Sequence, residues 1–195
     1  MIKCTMIHSY PNEYFELYTL AKDGFTFRQW NNEVRRLSMR IDDLDRRHKF
    51  IGDMLEVFAE IYFNVFNADE AIGITDYTPV EITDDFGVDA TGVNVRGHNV
   101  AIQIKYRSNP SDLISYADIA RTYTSALMQF NMSDIYEHDR TVYLFTNSNG
   151  VSGAFTKVMQ NKVVVITNNE IKTKVDNNLT FWKSAYDMIF KTLDN

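Results

Sequence analysis

Three polar side chains near the middle of the chain, Asp89, Gln103 and Lys105, are of types that could hold and use a divalent cation. Successive side chains of a β-strand point to opposite faces, so Gln103 and Lys105 would share one face of the segment 101–107. The isoleucines of this segment would then lie on the other face, which predicts one apolar and one polar side. Because lysine is rarely buried without a partner, we expect Asp89 to lie beside Lys105 and a cation to lie beside both.

The elements that would bring these side chains together are the two strands of a β-hairpin, predicted over 88–95 and 100–106. Directly opposed residues of an antiparallel pair share a face of the sheet. Asp89 and Gln103 therefore share a face if the turn has an odd number of residues, such as the segment 97–99. A turn of even length would separate the two side chains unless a bulge intervened, so the sequence permits the required pairing without imposing it.

The segment before the hairpin is predicted to be largely helical. From about Trp30 to Phe66, apolar residues recur in the three-four alternation that is typical of an amphipathic helix. An unbroken helix of this length would be long for a small domain, so we expect a break near Gly52. Pairing with a second copy of the chain is the alternative to packing against the core. Residues 1–27 are rich in aromatic side chains but show no clear pattern.

The segments around the hairpin alternate between strands and helices. The segment 72–83 is predicted as a strand or an extended loop, and Pro79 favours an edge of the sheet or the turn into it. Ser111 is expected to cap the helix that follows the hairpin. The alternation predicts a crossover connection and a parallel pair of strands. The later elements are predicted as a helix over 112–130, a buried strand over 141–146, a short helix to about 160, a strand over 163–167 and a helix over 178–193. The apolar face of the helix 112–130 is predicted to contain Leu113, Ala117, Ala120, Tyr123, Leu127 and Phe130.

The composition indicates a single domain with a sizeable core. The chain has 195 residues, of which 45% are hydrophobic, and a formal net charge of −6 that argues weakly against coating nucleic acid through bulk charge. The single cysteine, Cys4, excludes an internal disulfide and a cysteine-based metal site and fits a reducing cytoplasm. We expect no signal peptide, because the first residues lack its apolar run. We expect no membrane span, because no window approaches the roughly 18 apolar residues that a span needs.

Glu56 on the predicted helix, Asp89, and the pair Gln103-x-Lys105 together resemble the PD-(D/E)XK nuclease superfamily, which has the restriction-endonuclease-like fold. The pattern is most similar to Mrr-type enzymes and to the nuclease domains of type ISP restriction proteins, in which glutamine replaces the acidic residue of the motif. Val88 stands where the name of the superfamily has proline, which is a common departure.

This resemblance implies an α/β fold with a restriction-endonuclease-like core: a helix, an antiparallel three-strand meander, a crossover helix and a parallel strand. The elements predicted above follow the same order, and the similar stretch 52–146 covers roughly half of the chain. The chain is accordingly predicted to be one nuclease domain. It would have an N-terminal extension with an amphipathic helix over 1–50, a catalytic core over 51–170 and a C-terminal helix over 171–195.

By the same resemblance, we expect a metal-dependent DNA endonuclease with Mg²⁺ as the cofactor and Mn²⁺ as the alternative. The Asp89 carboxylate, the Gln103 side-chain carbonyl and the Ile104 backbone carbonyl are implied as metal ligands. Glu56 would approach from the helix, directly or through water. Lys105 would not bind the metal, but would orient the attacking water and offset charge on the scissile phosphate. Because Gln103 is neutral, we expect modest metal affinity and a magnesium ion that keeps much of its water.

Residues near the motif are candidates for binding the substrate. Tyr106, Arg107 and Arg121 could contact phosphates of DNA. Seven basic residues between Arg28 and Lys49 could add DNA contacts or form a homodimer interface, although their mixture with acidic residues is more typical of a solvated helical face. We expect a bacterial or phage enzyme in the cytoplasm of a bacterial or infected cell, restriction-like or degrading host DNA, with no membrane partner.

Each candidate residue also has an ordinary structural interpretation. Asp89 could cap a turn, Lys105 could be a charge on an edge strand, and Glu56 could be a solvated helix residue whose place is taken by Glu60. For the whole chain, the alternatives are a catalytically inactive module that binds DNA or protein on the same fold, an exonuclease, or a nuclease that acts on RNA.

Overall fold

The computed structural model describes residues 1–80, 87–128, 141–159 and 162–194. In chain order the described elements are a 3-10 turn at Thr5–Ser9, α1 (Pro11–Ala21), α2 (Phe27–Ser38), α3 (Leu44–Val65), β1 (Ile74–Pro79), β2 (Ala90–Asn94), β3 (Asn99–Lys105), α4 (Tyr116–Met128), β4 (Val142–Thr146), α5 (Gly153–Met159), β5 (Val163–Ile166), α6 (Asn168–Val175) and α7 (Leu179–Leu193). None of the described helices is both long and apolar enough to cross a lipid bilayer.

The contacts divide the chain into two compact units. The first contains Met1–Val65 and Glu170–Asn195, and the second contains Phe66–Asn169. This division differs from the predicted boundary at 50, because α3 belongs with the helices from the two ends of the chain. The assignment of a single nuclease domain stays a prediction.

The first unit is helical and its core is aromatic. α1 packs against α7, and α2 packs against α3. The ring centroids of Trp30 and Phe58 lie 4.6 Å apart, and those of Phe58 and Phe181 lie 5.7 Å apart. All three rings are fully buried. Burying a side chain of this size contributes about 1.5–3 kcal/mol, so the stability of this unit depends on segments that are far apart in the sequence.

The predicted helix over 30–66 is in fact two helices, α2 and α3, and the turn between them lies well before Gly52. Asp43 Oδ1 accepts a hydrogen bond from the Arg46 backbone nitrogen at 2.7 Å. Asp43 is therefore the N-cap of α3, and α3 begins as a helix separate from α2. Gly52 stays helical because most of its neighbours in α3 are buried. That packing outweighs the roughly 1 kcal/mol that glycine costs in a helix relative to alanine.

The described residues of the second unit form a five-stranded sheet with the order β1-β2-β3-β4-β5. β1, β2 and β3 form an antiparallel meander, whereas the pairs β3–β4 and β4–β5 are parallel. α4 connects β3 to β4, and α5 connects β4 to β5. The predicted α/β class is confirmed, and so is the predicted order of an antiparallel meander, a crossover helix and a parallel strand. β4 is buried along its whole length, as expected for the strand over 141–146.

The β2–β3 hairpin has the odd-length turn that pairs the two candidate ligands. The Asn94 backbone nitrogen donates to the His98 carbonyl oxygen at 2.9 Å, so the turn lies at 95–97 rather than at the predicted 97–99. Gly97 has a φ of +83°, the left-handed conformation that a three-residue hairpin loop requires at its last position.

α4 begins at Tyr116 rather than at 112, because Ser115 and Asp118 form its N-terminal cap. The Ser115 backbone nitrogen and hydroxyl each donate to Asp118 Oδ2 at 2.8 Å. Ser111, the predicted cap, lies exposed in the preceding loop. The predicted continuation of this helix to 130 lies outside the described residues.

The buried face of α4 differs from the predicted one. Leu113 precedes the helix and is exposed, and Ala117 is also exposed. Tyr123 lies only partly buried at the edge of the apolar cluster. The buried residues are Ile119, Thr122, Ser125 and Ala126. Two of these four are polar, which a pattern of apolar residues alone does not reveal.

The remaining elements follow the predictions with one addition. β1 is an edge strand that ends at Pro79, as the proline predicted, although the last residues of the predicted strand 72–83 lie outside the described residues. The parallel pairing of β4 with β5 is confirmed. The sequence pattern does not predict α6, so the C-terminal segment contains α6 and α7 where one helix was expected.

Candidate functional site

A polar cleft of about 410 Å³ opens at the end of β3. Its walls come from the residues before β2, the end of β3 and the first turns of α4. The lining residues are Gly87, Asp89, Gln103, Ile104, Lys105, Ala117, Asp118 and Arg121. The structure therefore brings Asp89, Gln103 and Lys105 to one cleft, together with Ile104 and Arg121.

Asp89 and Gln103 meet because of the hairpin register. Ala90 pairs with Ile102, and the Asp89 backbone nitrogen donates to the Ile102 carbonyl oxygen at 2.9 Å, which extends the ladder by one step. The amide nitrogen of Gln103 then donates to Asp89 Oδ2. Gln103 is only 6% exposed, so this contact lies at the floor of the cleft.

Ile104 adds its backbone to the same contact. Its nitrogen donates to Asp89 Oδ2 at 2.5 Å, and its carbonyl oxygen lies 3.4 Å from Gln103 Nε2. The Asp89 carboxylate and the Ile104 carbonyl therefore meet at the amide nitrogen of Gln103, whose oxygen faces Thr122. The carboxylate and carbonyl oxygens are of the kind that hard divalent cations prefer.

Thr122 on α4 contacts the other end of the Gln103 amide. Its hydroxyl oxygen lies 2.6 Å from Gln103 Oε1 and 2.5 Å from the Gly87 carbonyl oxygen. Thr122 is completely buried, and it joins α4 to both halves of the hairpin. The sequence patterns considered above do not mark it, because a polar residue on a helix is usually expected to face solvent. Thr122 lies three residues after Ile119 and four residues before Ala126, which places all three on one helix face. This spacing is the signal that could have identified Thr122 as buried.

Lys105 is the last residue of β3 and lines the cleft, half-buried. The Thr146 hydroxyl donates to the Lys105 carbonyl oxygen at 2.6 Å, which fixes the end of the strand. Asp89 Oδ2 accepts hydrogen bonds from Gln103 and Ile104. The expected pairing of the Lys105 ammonium with Asp89 stays a prediction.

Arg107, predicted to contact DNA, is held by other residues of the second unit. Its guanidinium Nη2 lies 2.6 Å from Asp118 Oδ2, and its backbone nitrogen donates to Asn147 Oδ1 at 2.6 Å. Burial raises the pKa of Asp118, but hydrogen bonds from Arg107 and Ser115 outweigh burial and keep the pKa below its ordinary value. Asp118 is therefore a second ionised carboxylate of the cleft, which the sequence motif does not include. A contact between Arg107 and DNA stays a prediction.

Arg121 lies exposed on α4 and lines the cleft. Gly87 has a φ of +75°, and a Cβ built on it would lie 3.3 Å from side-chain carbons of Arg121, so the arginine stem passes over this glycine. The cleft lining therefore contains two cationic side chains, Arg121 and Lys105, and two carboxylates, Asp89 and Asp118. Tyr106 follows β3 and is half-buried but does not line the cleft. Contacts of Tyr106 and Arg121 with DNA stay predictions.

The two glutamates considered on α3 have different surroundings. Glu60 is fully buried in the first unit and accepts hydrogen bonds from the backbone nitrogens of Lys3 at 2.6 Å and Cys4 at 2.8 Å. Burial raises the pKa of Glu60, although these hydrogen bonds oppose the rise. Glu60 therefore fixes the start of the chain rather than replacing Glu56. Glu56 lies half-buried on α3 in the first unit, and its part in a metal site stays a prediction.

The described residues contain no group of three His, Cys, Asp or Glu side chains that could hold a metal ion. A cation in the cleft would depend on the Asp89 carboxylate and on the neutral oxygens of Gln103 and Ile104, with water completing its shell. This donor set fits a hard, hydrated ion such as Mg²⁺ and lacks the nitrogen and sulfur ligands that zinc prefers.

Comparison with family models and with curated proteins gives no match to this chain. Among solved structures, the chain is similar to the MspJI restriction endonuclease in complex with a 27-mer oligonucleotide, with a TM-score of 0.42 and 18% sequence identity. The match covers 83% of this chain and 35% of that chain, so this chain spans about a third of that protein's length. The function therefore has to be inferred from the residues of the cleft.

Proposed function

We propose that the chain is a metal-dependent nuclease that cuts DNA internally. The observation that carries this proposal is the meeting of Asp89 and Gln103 at the floor of a cleft that Lys105 also lines. A hairpin needs no carboxylate at this position, because apolar cross-strand pairs stabilise one equally well. A half-buried carboxylate beside a buried amide, at the floor of a polar cleft, is better explained by binding and chemistry.

Asp89, Gln103 and the Ile104 carbonyl are the groups that would hold Mg²⁺, or Mn²⁺ as the alternative. When bound, such an ion makes a nearby water more acidic and offsets negative charge on a phosphate. Asp89 supplies the anionic ligand. Its Oδ2 already accepts the hydrogen bond from the Ile104 nitrogen, so its carboxylate is oriented before any ligand arrives.

Lys105 and Arg121 supply the positive charge that a phosphodiester needs. Lys105 would donate to the attacking water or to the scissile phosphate, and Arg121 would bind a neighbouring phosphate. The carbonyl of Lys105 is fixed by Thr146, so its ammonium extends from a rigid strand end. Donors that are fixed where negative charge develops contribute about 100- to 1,000-fold in rate.

The direct test compares the wild-type protein with Asp89→Asn on supercoiled plasmid, in Mg²⁺ and in EDTA. Asparagine keeps an oxygen that can accept from the Ile104 nitrogen but removes the charge, so the variant should fold. It should lose cleavage about 100-fold or more, which corresponds to about 3 kcal/mol of transition-state stabilisation. Asp187→Asn, at an exposed position on α7, is the matched control and should cut like the wild type.

The form of the products decides between the alternatives. Nicked or linear plasmid that accumulates only with metal, and only with an intact Asp89, supports an endonuclease. Digestion of linear DNA alone would indicate an exonuclease, and digestion of RNA alone would change the substrate class. Retention of DNA without cleavage in Mg²⁺ and in Mn²⁺ would contradict the proposal and favour a binding module.

A further inference from the structure

The Asp118 carboxylate is held in one orientation through a single oxygen. The Ser115 backbone nitrogen and hydroxyl each donate to Oδ2 at 2.8 Å, and Arg107 Nη2 lies 2.6 Å from the same atom. In the described part of the chain, every donor to this carboxylate contacts Oδ2. Oδ1 is therefore the oxygen that Asp118 can offer to the cleft that it lines.

The cap of α4 does not account for Oδ1. A capping box needs one acceptor on the third helical residue for the backbone nitrogen of the cap residue, and Oδ2 supplies it to Ser115. The ion pair with Arg107 uses the same oxygen. Because the Asp118 side chain is only 21% exposed, Oδ1 is partly desolvated, which is costly for a charged group unless a donor or a cation binds it.

A hydrated cation in the cleft would supply donors to Oδ1. Mg²⁺ requires an octahedral shell of oxygens and keeps several waters where few protein oxygens bind it. Asp89 and the Ile104 carbonyl fill only part of such a shell. The waters that remain are polarised by the ion, and a carboxylate is the acceptor that forms the strongest hydrogen bonds with them.

Arg107 favours a water between the ion and Asp118 over direct coordination. Its Nη2 is 2.6 Å from Oδ2, so an ion about 2 Å from Oδ1 of the same carboxylate would lie close to the guanidinium. The two positive charges would repel each other. An intervening water increases their separation and still uses Oδ1 as its acceptor.

We propose that Asp118 binds the hydrated cation of the cleft through the ion's water molecules. This inference rests on the proposed metal-dependent function. It gives the two carboxylates of the cleft different tasks, since Asp89 is the direct ligand and Asp118 orients water in the shell of the ion. Because Gln103 is neutral, Asp118 is the second anionic group that this site has.

Asp118→Asn tests the proposal, because the donors around Oδ2 determine how the new amide is oriented. The amide oxygen would accept from Ser115 and Arg107, and the NH₂ group would take the place of Oδ1. The cleft would then lose an acceptor and gain a donor that opposes the water hydrogens. Mn²⁺ titrations of the full chain, followed by electron paramagnetic resonance and calorimetry, should show an affinity about tenfold lower. Asp112→Asn removes the same charge from the exposed loop before α4 and should keep the wild-type affinity.

Arg107→Ala separates this role from a purely structural one. Arg107→Ala and Asp118→Asn disturb the same ion pair, so both should lower the unfolding midpoint in EDTA. Arg107→Ala should nevertheless bind Mn²⁺ at least as tightly as the wild type, because it removes a positive group near the ion. Equal losses of affinity in the two variants would overturn the proposal, since they would show that Asp118 acts only through the fold.

Two further outcomes of the titrations are decisive. Unchanged affinity of Asp118→Asn, beside a wild type that binds Mn²⁺, would overturn this proposal and leave the proposed function standing. Failure of the wild type to bind Mn²⁺ would overturn both.

A measurement on the wild type needs no substitution. The resonance of the Asp118 carboxyl carbon should shift as Mg²⁺ is added and should saturate with the binding isotherm, because Oδ1 gains the hydrogen bond of a metal-bound water. Saturable Mg²⁺ binding that leaves this resonance in place would contradict the proposal, even if Asp118→Asn does not fold.

Discussion

Asp89 lies opposite Gln103 across the β2–β3 hairpin, and its carboxylate accepts a hydrogen bond from the glutamine amide. The hairpin register, rather than a long-range contact, determines this relationship. Each residue is therefore sensitive to the charge of the other, and both are sensitive to whatever binds between them.

Gln103→Glu should make the stability of the chain depend on divalent metal. The substitution removes the hydrogen bond to Asp89 and sets a buried carboxylate against a half-buried one, which should cost about 1–3 kcal/mol in EDTA. Saturating Mg²⁺ should restore most of this loss, because a cation between the two groups offsets their repulsion. Urea unfolding in EDTA and in Mg²⁺, with the wild type alongside, measures the effect. A loss of equal size in both buffers would argue against a cation at this position.

Lys105→Ala should lose plasmid cleavage by about 100-fold or more, because its ammonium is the donor closest in sequence to the proposed ligands. The fold should persist, since the side chain lines the cleft rather than the core. Lys157→Ala, at an exposed position on α5 in the same unit, is the matched control. If both variants cut as well as the wild type, Lys105 has no part in the reaction.

Arg121→Ala should weaken DNA binding more than Arg107→Ala does. Arg121 is exposed and lines the cleft. The Arg107 guanidinium is more buried, and its Nη2 lies 2.6 Å from Asp118 Oδ2. Fluorescence anisotropy at several salt concentrations should show the salt slope of the Arg121 variant reduced by about one phosphate contact. Arg107→Ala should instead lower the unfolding midpoint, because it leaves Asp118 without its cation. The reverse order of binding losses would mean that Arg107 leaves Asp118 to reach DNA.

Glu60→Gln should change the pH dependence of stability without changing cleavage. Burial raises the pKa of Glu60, so the folded state binds this proton more tightly than the unfolded state does. Its contribution to stability is fully present below the pKa of an unfolded glutamate, about 4.3, and is lost as the pH rises through the raised value.

The glutamine variant lacks this titration. It also has one carbonyl oxygen where the carboxylate has two, so one of the Lys3 and Cys4 backbone donors loses its partner at a cost of about 1–3 kcal/mol. The free-energy difference between wild type and variant should shrink as the pH rises and then level off. Parallel curves across this range would show that Glu60 does not titrate differently in the folded state.

Much of the second unit could be predicted from local pattern. Strands such as Val142–Thr146 are recognisable because they are short, apolar and bounded by polar turns. The shared face of Asp89 and Gln103 follows from the alternation of side chains and an odd-length turn. The exact turn could not be predicted, because Gly97 can be its first or its last residue, and only the final packing of the sheet decides between these registers.

The errors arose where tertiary contacts override local preference. Gly52 is a weak helix former, yet the burial of its neighbours keeps α3 intact. Thr122 is polar, yet its two hydrogen-bonding partners belong to segments that local periodicity cannot bring to α4. The hydrogen bond from the Ile104 backbone to Asp89 Oδ2 was likewise not predicted, because it depends on the exact pairing of the two strands.

The hydrogen bond from Thr146 to the Lys105 carbonyl also implies an order of assembly. Asp89 and Gln103 are separated by 14 positions, whereas Thr146 and Lys105 are separated by 41. Closing the shorter loop costs less chain entropy, so the hairpin should form early and β4 should dock later. A folding intermediate would then already hold Asp89 beside Gln103, while the end of β3 that carries Lys105 is not yet fixed. The complete set of cleft residues would be in place only after β4 has paired with β3.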